Sequence, residues 1–230
     1  MLSAILVAGG SSQRMGFDKL FAMIAAEPVI VHPIRAFDRA TSVNEIIVVA
    51  REERHDEIRK IIRDAGFKKV YSIVSGGERR QDSVRAGLDR VDRAAKYVAV
   101  HDAARPLITP EQIERTFEQC RVQGAAALAQ PVNDTLKRAD ANLVINGSVD
   151  RHQLYAMQTP QIFARKLIED AYHAVYAENI SVTDEVSAVE WLGKKVALVL
   201  DEDFNFKITY PRDLLIAEFV LTRRTHSAVN

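Results

Sequence analysis

The chain has 230 residues, 47% of them hydrophobic, which favours one α/β domain with a sizeable core and excludes a disordered chain. Lysine plus arginine and aspartate plus glutamate balance at 31 each, so the net charge points to neither nucleic acid nor a membrane as a partner. Cys120 is the only cysteine, which excludes an intrachain disulfide and a cysteine-based metal cluster.

The sequence offers no candidate for a membrane anchor or a secretion signal. No apolar run reaches the roughly 18 residues that a membrane-spanning helix needs. The first residues have the pattern of a strand and lack the basic segment that opens a signal peptide. We therefore expect a cytoplasmic protein.

The N-terminal half of the sequence alternates short apolar runs with longer amphipathic segments. The apolar runs predict buried strands over residues 2–7, 45–50, 70–74 and 97–101. The segments between them predict helices over residues 28–40, 51–65 and 83–91. Such alternation indicates right-handed crossovers and a mainly parallel sheet. The predicted fold class is therefore α/β, with a Rossmann-like parallel sheet flanked by helices.

The pattern changes after residue 130. Two short strands, 135–139 and 143–146, surround Asp140-Ala141-Asn142 and predict a β-hairpin. We interpret residues from about 131 to 163 as an arm that projects from a single domain spanning 1–230. The remaining pattern predicts helices over 164–177, 184–192 and 211–221 and strands over 196–200 and 206–209.

The first predicted strand ends in a loop of small residues, Ala8, Gly9 and Gly10, and Arg14 and Lys19 follow shortly after. Such a loop presents several backbone N–H groups, which suit phosphate oxygens, and the two cations add charge. A tight turn without a ligand is the competing interpretation. The loop matches neither the Walker pattern nor the dinucleotide fingerprint. We interpret it as a cradle for a triphosphate.

Two further strand ends carry residues of a similar kind: Gly76, Gly77, Arg80 and Ser83 after the third strand, and Asp102 and Arg105 after the fourth. In open parallel sheets, ligands bind beyond the carboxyl ends of the strands, so we expect these loops to converge. Glycine-lined walls with several cations and one carboxylate suit a nucleotide with Mg²⁺. Chemistry at phosphorus needs positioning and charge neutralisation more than a covalent nucleophile.

Each of these features also has a purely structural interpretation. Asp102 could be a turn or helix-capping residue. The arginines and aspartates that alternate between Arg79 and Arg93 are typical of a solvated helix face. Thr183, followed by two acidic residues, is typical of a helix N-terminus, and Lys207 could line a surface edge.

Nine sequence blocks, taken in order, carry a more specific signal: AILVAGG (4–10), SSQRM with Lys19, SGGERRQDSV (75–84), VHDAARP (100–106), PVNDTLKR (131–138), VDR (149–151), QTPQ (158–161), TDE (183–185) and NFKIT (205–209). Together they resemble the 2-C-methyl-D-erythritol 4-phosphate cytidylyltransferases of the non-mevalonate isoprenoid pathway. The resemblance covers nearly the whole chain. VHDAARP, TDE and N-x-K-I-T are its most specific parts.

The resemblance implies a nucleotidyltransferase that transfers CMP from CTP to the phosphate of methylerythritol phosphate and releases pyrophosphate. Arg14 and Lys19 would be catalytic, and Asp102 would bind Mg²⁺ or another divalent cation. The nucleotide would contact Ala8, Gly9, Gly10, Gly76, Gly77, Glu78, Arg80, Ser83 and Asp102. The polyol phosphate would contact Arg105, Arg151, Thr159, Thr183 and Lys207.

In the family the arm crosses a dimer interface, so the resemblance also implies a homodimer in which Arg151 and Thr159 serve the neighbouring subunit's site. The chain departs from the family at Leu20, where glutamine is frequent, at Ala25, where glycine is usual, and at Glu78, which is commonly aspartate. Two alternatives remain: a cytidylyltransferase for another polyol phosphate such as ribitol 5-phosphate, and a CTP-binding module without chemistry.

Overall fold

The computed structural model describes residues 1–10 and 15–227, in which strands and helices alternate. The strands are β1 (Leu2–Ala8), β2 (Met23–Ile24), β3 (Glu27–Pro28), β4 (Val43–Ala50), β5 (Val70–Ser75), β6 (Tyr97–Asp102), β7 (Ala125–Pro131), β8 (Leu136–Ala139), β9 (Ile145–Val149), β10 (Tyr155–Ala164) and β11 (Ala197–Leu200). The α-helices are α1 (Val31–Arg39), α2 (His55–Ala65), α3 (Arg80–Leu88), α4 (Pro110–Gln123), α5 (Arg165–Ala177), α6 (Glu185–Trp191) and α7 (Pro211–Ser227).

Seven of these strands form the central sheet, in the order β11-β7-β10-β6-β1-β4-β5. β1 is parallel to β4 and β6, β4 is parallel to β5, and β7 is parallel to β11. Only β10 runs antiparallel to its neighbours in this sheet, β6 and β7. The mainly parallel α/β fold predicted from the sequence is therefore confirmed.

The strand order reverses at β1. The chain adds β4 and then β5 on one side of β1, and β6 then pairs with β1 on the other side. A reversal of this kind leaves a crevice between the carboxyl ends of the two strands that flank it, where ligands of open α/β sheets bind. The topology therefore points to the residues that follow β1 and β6.

Both faces of the sheet are buried. Successive side chains of β1 alternate between two apolar clusters: Leu6 packs in the one that contains Phe37 of α1, and Ile5 packs in the one that contains Val84 of α3. The covered sheet explains why the central strands are near-continuous apolar runs in the sequence. Among the described residues, no helix combines the length and the apolar composition needed to cross a membrane.

The structure corrects several predicted boundaries. β7 and β10 belong to the central sheet, although the sequence predicts no strand there and assigns residues 155–163 to the arm. Residues 206–209, predicted as a strand, lie outside the strands, and α3 begins at Arg80 rather than Ser83. β10 pairs with β6 through its last residues and with β7 along most of its length, so this part of the predicted arm is core structure.

The predicted hairpin is present. β8 and β9 form a separate two-stranded antiparallel sheet, and most of its residues are exposed. Its use as a dimerisation arm stays a prediction.

Candidate active site

A cleft of about 290 Å³ lies where the sheet topology places a binding site. The structure brings ten of the residues singled out from the sequence into its lining: Ala8, Gly9, Gly10, Lys19, Gly77, Glu78, Arg80, Ser83, Asp102 and Lys207. The loops after β1, β5 and β6 therefore meet in one place, together with the segment before α7.

Of the two predicted catalytic cations, Arg14 and Lys19, the structure describes Lys19. Arg14 lies outside the described residues. The Lys19 ammonium group donates a hydrogen bond to the backbone oxygen of Ile208 at 2.7 Å, and its side chain lines the cleft. This contact joins the loop after β1 to the NFKIT block, which is 189 residues away in the chain.

The glycine turn after β5 is packed closely around Ser83 of α3. A Cβ atom at Gly76 would lie 2.6 Å from the Ser83 Oγ, and one at Gly77 would lie 2.4 Å from the Cβ of Asp82, so neither position has room for a side chain. The Gly77 N–H donates to Ser83 Oγ at 3.2 Å. Ser83 thus fixes the turn, and Gly76, a predicted nucleotide contact, does not line the cleft.

Two arginines that follow β4 hold the glycine loop after β1. Arg54, which is 6% exposed, donates to the backbone oxygens of Ala8 at 2.6 Å and Gly10 at 3.0 Å, and it forms a 2.5 Å ion pair with Asp18. Arg51 donates to the Gly9 oxygen at 3.1 Å. Sequence reasoning missed this clamp, although two arginines directly beyond a strand end were a usable signal.

Asp102, the last residue of β6, is held between two cations. Arg80 Nε lies 3.0 Å from its Oδ1 and Lys207 Nζ lies 2.7 Å from its Oδ2. Burial alone would raise the pKa of Asp102, but the charges of Arg80, Lys207 and Arg105 outweigh it and hold that pKa well below its usual range. The carboxylate is therefore ionised at neutral pH.

A neutral hydrogen-bond chain supports Asp102 from the buried side. His101 Nε2 lies 3.2 Å from the backbone oxygen of Arg105, which can only accept, so Nε2 carries the proton. Nδ1 then accepts from the Thr159 hydroxyl at 3.0 Å, and Thr159 Oγ1 accepts from the Asp102 N–H at 3.1 Å. Burial lowers the pKa of His101 to about 4, in agreement with a neutral ring.

This series of hydrogen bonds includes Thr159, one of the predicted acceptor contacts. The resemblance implies that Thr159 contacts the acceptor in the neighbouring subunit's site, but the residue is 4% exposed and bonded to Asp102 of its own chain. Its hydroxyl is already used on both sides. Thr159 therefore contacts the end of β6 in its own chain, and its contact with the acceptor stays a prediction.

The other predicted acceptor residues do not line the cleft. Arg105 is turned toward the backbone oxygens of Asn205, at 2.7 Å, and Met157. Arg151 is exposed and its guanidinium donates to the backbone oxygen of Asn133. Thr183 is exposed and precedes Asp184, the N-cap residue of α6. Of the five predicted acceptor contacts, Lys207 is the one that the structure places in the cleft.

The residues of the cleft can be compared with the ligands that Mg²⁺ prefers in nucleotide sites. Among the described side chains, those of residues 1–10 and 15–224, no group of three or more histidine, cysteine or acidic side chains converges on a possible metal position. Mg²⁺ in nucleotide sites commonly takes one or two carboxylates and completes its shell with phosphate oxygens and water. Asp102 suits that role as a single protein ligand, because each carboxylate oxygen keeps a second lone pair beside its cation.

Comparison with known proteins agrees with this geometry. The family model for 2-C-methyl-D-erythritol 4-phosphate cytidylyltransferase matches residues 2–223. A protein of that name from Caldanaerobacter subterraneus subsp. tengcongensis is 40% identical over 96% of this chain and 99% of its own length. Another from Dictyoglomus thermophilum is 39% identical over 95% of this chain and 96% of its own length.

Solved structures with the same architecture carry equivalent names. The 4-diphosphocytidyl-2C-methyl-D-erythritol synthase from Anaerococcus prevotii superposes with a TM-score of 0.85 at 29% identity, covering 96% of this chain and 98% of that one. The 2-C-methyl-D-erythritol 4-phosphate cytidylyltransferase from Thermus thermophilus gives a TM-score of 0.77 at 27% identity, covering 95% and 98%. The chain therefore belongs to the 2-C-methyl-D-erythritol 4-phosphate cytidylyltransferase family.

Proposed function

We propose that this protein transfers the cytidylyl group of CTP to 2-C-methyl-D-erythritol 4-phosphate and releases pyrophosphate. The observation that carries the proposal is the convergence of two glycine loops, Lys19, Arg80, Lys207 and Asp102 on one cleft at the switch point between β1 and β6. A triphosphate brings several negative charges, and this cleft offers cations and uncrowded backbone to receive them.

The reaction forms one bond and breaks one. An oxygen of the acceptor phosphate attacks the α-phosphorus of CTP, and the bond from that phosphorus to the oxygen shared with the β-phosphate breaks. Pyrophosphate leaves with the shared oxygen and its electron pair. Negative charge grows on the leaving group, so fixed cations beside it lower the barrier. We assign this task to Lys19, together with Arg14.

Asp102 would hold Mg²⁺ or another divalent cation, which supplies charge neutralisation on the phosphate oxygens when it is bound. Within the protein, Arg80 and Lys207 keep the Asp102 carboxylate ionised and oriented. The backbone at Ala8, Gly9, Gly10 and Gly77, with Glu78 and Arg80, would receive the nucleotide.

The acceptor phosphate would contact Lys207, the predicted acceptor residue that lies in the cleft. We retain Arg105, Arg151, Thr159 and Thr183 as proposed acceptor contacts, with Arg151 and Thr159 serving the neighbouring subunit of a homodimer. The exposed apolar residues at the turn of the hairpin support such a dimer: Leu143, Val144 and Ile145 are 87%, 60% and 64% exposed. Sedimentation of Val144→Asp tests it, because a monomer is expected in place of a dimer.

Pyrophosphate release from CTP in the presence of methylerythritol phosphate tests the function. We expect Lys19→Ala to lower kcat by roughly 10²-fold or more, as removal of a fixed transition-state charge does elsewhere. The change also removes the hydrogen bond to the Ile208 oxygen, so urea unfolding is measured to show that the variant is folded under assay conditions. A Lys19→Ala variant with the parent kcat would refute the assigned role. The ribitol 5-phosphate enzyme is the less favoured alternative, because the compared relatives are named for methylerythritol phosphate.

A further inference from the structure

Arg80 is held by two carboxylates from different parts of the chain. Its Nε donates to Asp102 as described, and its two terminal nitrogens donate to Glu185, Nη1 to Oε1 at 2.7 Å and Nη2 to Oε2 at 3.0 Å. The second contact is a two-point fork, the most directional ion pair available to an arginine. Both sides of the guanidinium are therefore fixed.

Glu185 itself cannot touch a bound nucleotide. It is 0% exposed and does not line the cleft, whereas Arg80 does. Burying a carboxylate costs free energy unless the group is paired and hydrogen-bonded, so the contacts of Glu185 offset the cost of burying its charge. Whatever Glu185 contributes to the reaction passes through Arg80.

A third residue completes the support. The Tyr172 hydroxyl, on α5, donates to Glu185 Oε1 at 2.9 Å. Tyr172 is 3% exposed, and burial followed by the nearby Glu185 charge raises the pKa of its hydroxyl well above the usual value, so it stays a donor. The Glu185 backbone N–H donates to the Gln161 side chain at 3.1 Å, which fixes the start of α6 against β10.

We infer that Glu185 and Tyr172 are positioning residues for cytidylyl transfer: they orient Arg80, and through it Asp102, toward the bound nucleotide. The inference rests on the proposed function for the role of the cleft. A site performs well when the groups that meet the ligand are locked by a second set of contacts, and a chain from Tyr172 to Asp102 provides that lock.

The test compares Glu185→Gln with a matched control. Glutamine keeps the shape of the side chain but turns one oxygen into a donor that faces a donor of Arg80, so the fork breaks. Glu27 offers the control, because it forms the same two-point fork with Arg35 away from the cleft. We measure kcat and KM for each substrate by pyrophosphate release, and the affinity for CTP alone by calorimetry.

We expect Glu185→Gln to lower kcat/KM for CTP by about 10- to 100-fold, the range seen when outer supports of a site are changed, and to weaken CTP binding. The KM for methylerythritol phosphate should stay within about twofold, and Glu27→Gln should match the parent protein, because neither change disturbs the other contacts of the cleft. In an Arg80→Gln background, adding Glu185→Gln should cost less than about twofold, because its effect passes through Arg80.

Tyr172→Phe provides a second route if Glu185→Gln does not fold, which its urea midpoint would reveal. We expect about a threefold or larger loss in kcat/KM for CTP in the parent background and none in the Arg80→Gln background. The inference is overturned if these variants keep the parent CTP affinity and kcat/KM, or if their losses are equal in both backgrounds. An inactive parent protein would instead count against the proposed function, and the CTP affinities would still decide the positioning role.

Discussion

The arginine clamp on the first glycine loop gives the sharpest stability prediction. In Arg54→Met, methionine replaces the apolar stem but not the guanidinium that holds Ala8, Gly10 and Asp18. The Ala8 oxygen is buried and would lose a charged donor, worth about 1.5–3 kcal/mol. The Gly10 oxygen and the 30% exposed Asp18 can regain water, so their losses add only about 1 kcal/mol together.

The expected total is therefore about 3 kcal/mol, a large part of the roughly 5–15 kcal/mol that stabilises a typical domain. Urea unfolding measures it as a lower midpoint with an unchanged slope. A loosened loop should also raise the KM for CTP, because the backbone that would receive the phosphates is no longer fixed in advance.

Arg59→Met is the matched control, since Arg59 lies on α2 and pairs with the exposed Asp56 at the surface. We expect that change to cost less than about 0.5 kcal/mol. The reasoning fails if Arg54→Met costs less than about 1 kcal/mol and leaves the KM for CTP unaltered, or if the two variants cannot be distinguished.

Three further predictions follow from local geometry. Ala25 and Ala26 form the two-residue turn between β2 and β3 with φ of 48° and 66°, so replacing them by Asn-Gly should raise stability by about 1 kcal/mol in thermal unfolding; a lower Tm would contradict this. Burial raises the pKa of Cys120 to about 12, so a thiol reagent at pH 8 should label it only after denaturant is added, and rapid labelling of the native protein would exclude this packing. In ¹⁵N NMR spectra at pH 7, His101 should show a protonated Nε2 and an unprotonated Nδ1, which Thr159→Val should disturb; an imidazolium signal would overturn the assigned network.

Local pattern was enough to predict the first half of the fold. Apolar runs of five or six residues predicted the parallel strands β1, β4, β5 and β6. The glycines and charged residues at the strand ends predicted the cleft, because parallel strands place their carboxyl ends at one edge of the sheet.

The second half of the sheet was harder to predict. β7 is largely alanine, which has a weak preference for strands, and β10 carries Pro160 and three polar residues in its middle. Proline argues against a central strand, but here it falls where the pairing with β7 is interrupted between Met157 and Gln161. A local pattern cannot reveal such an interruption.

The supports of the site were also beyond local reasoning. Arg54 meets the first glycine loop across 46 residues, and Glu185 meets Arg80 across 105. In sequence both resemble ordinary charges near the start of a helix. Only the folded chain shows that one is 6% exposed and the other 0% exposed, each against a residue of the cleft.

Pyrophosphate release from CTP with Mg²⁺, run in parallel with methylerythritol phosphate and ribitol 5-phosphate, tests the central claim most directly. The acceptor contacts set the ratio of kcat/KM for the two compounds. We predict release with methylerythritol phosphate, at a kcat/KM at least about 100-fold above that for ribitol 5-phosphate, and its loss in Lys19→Ala. Release with ribitol 5-phosphate alone would contradict the proposed acceptor, and no release with either compound would contradict the proposed reaction.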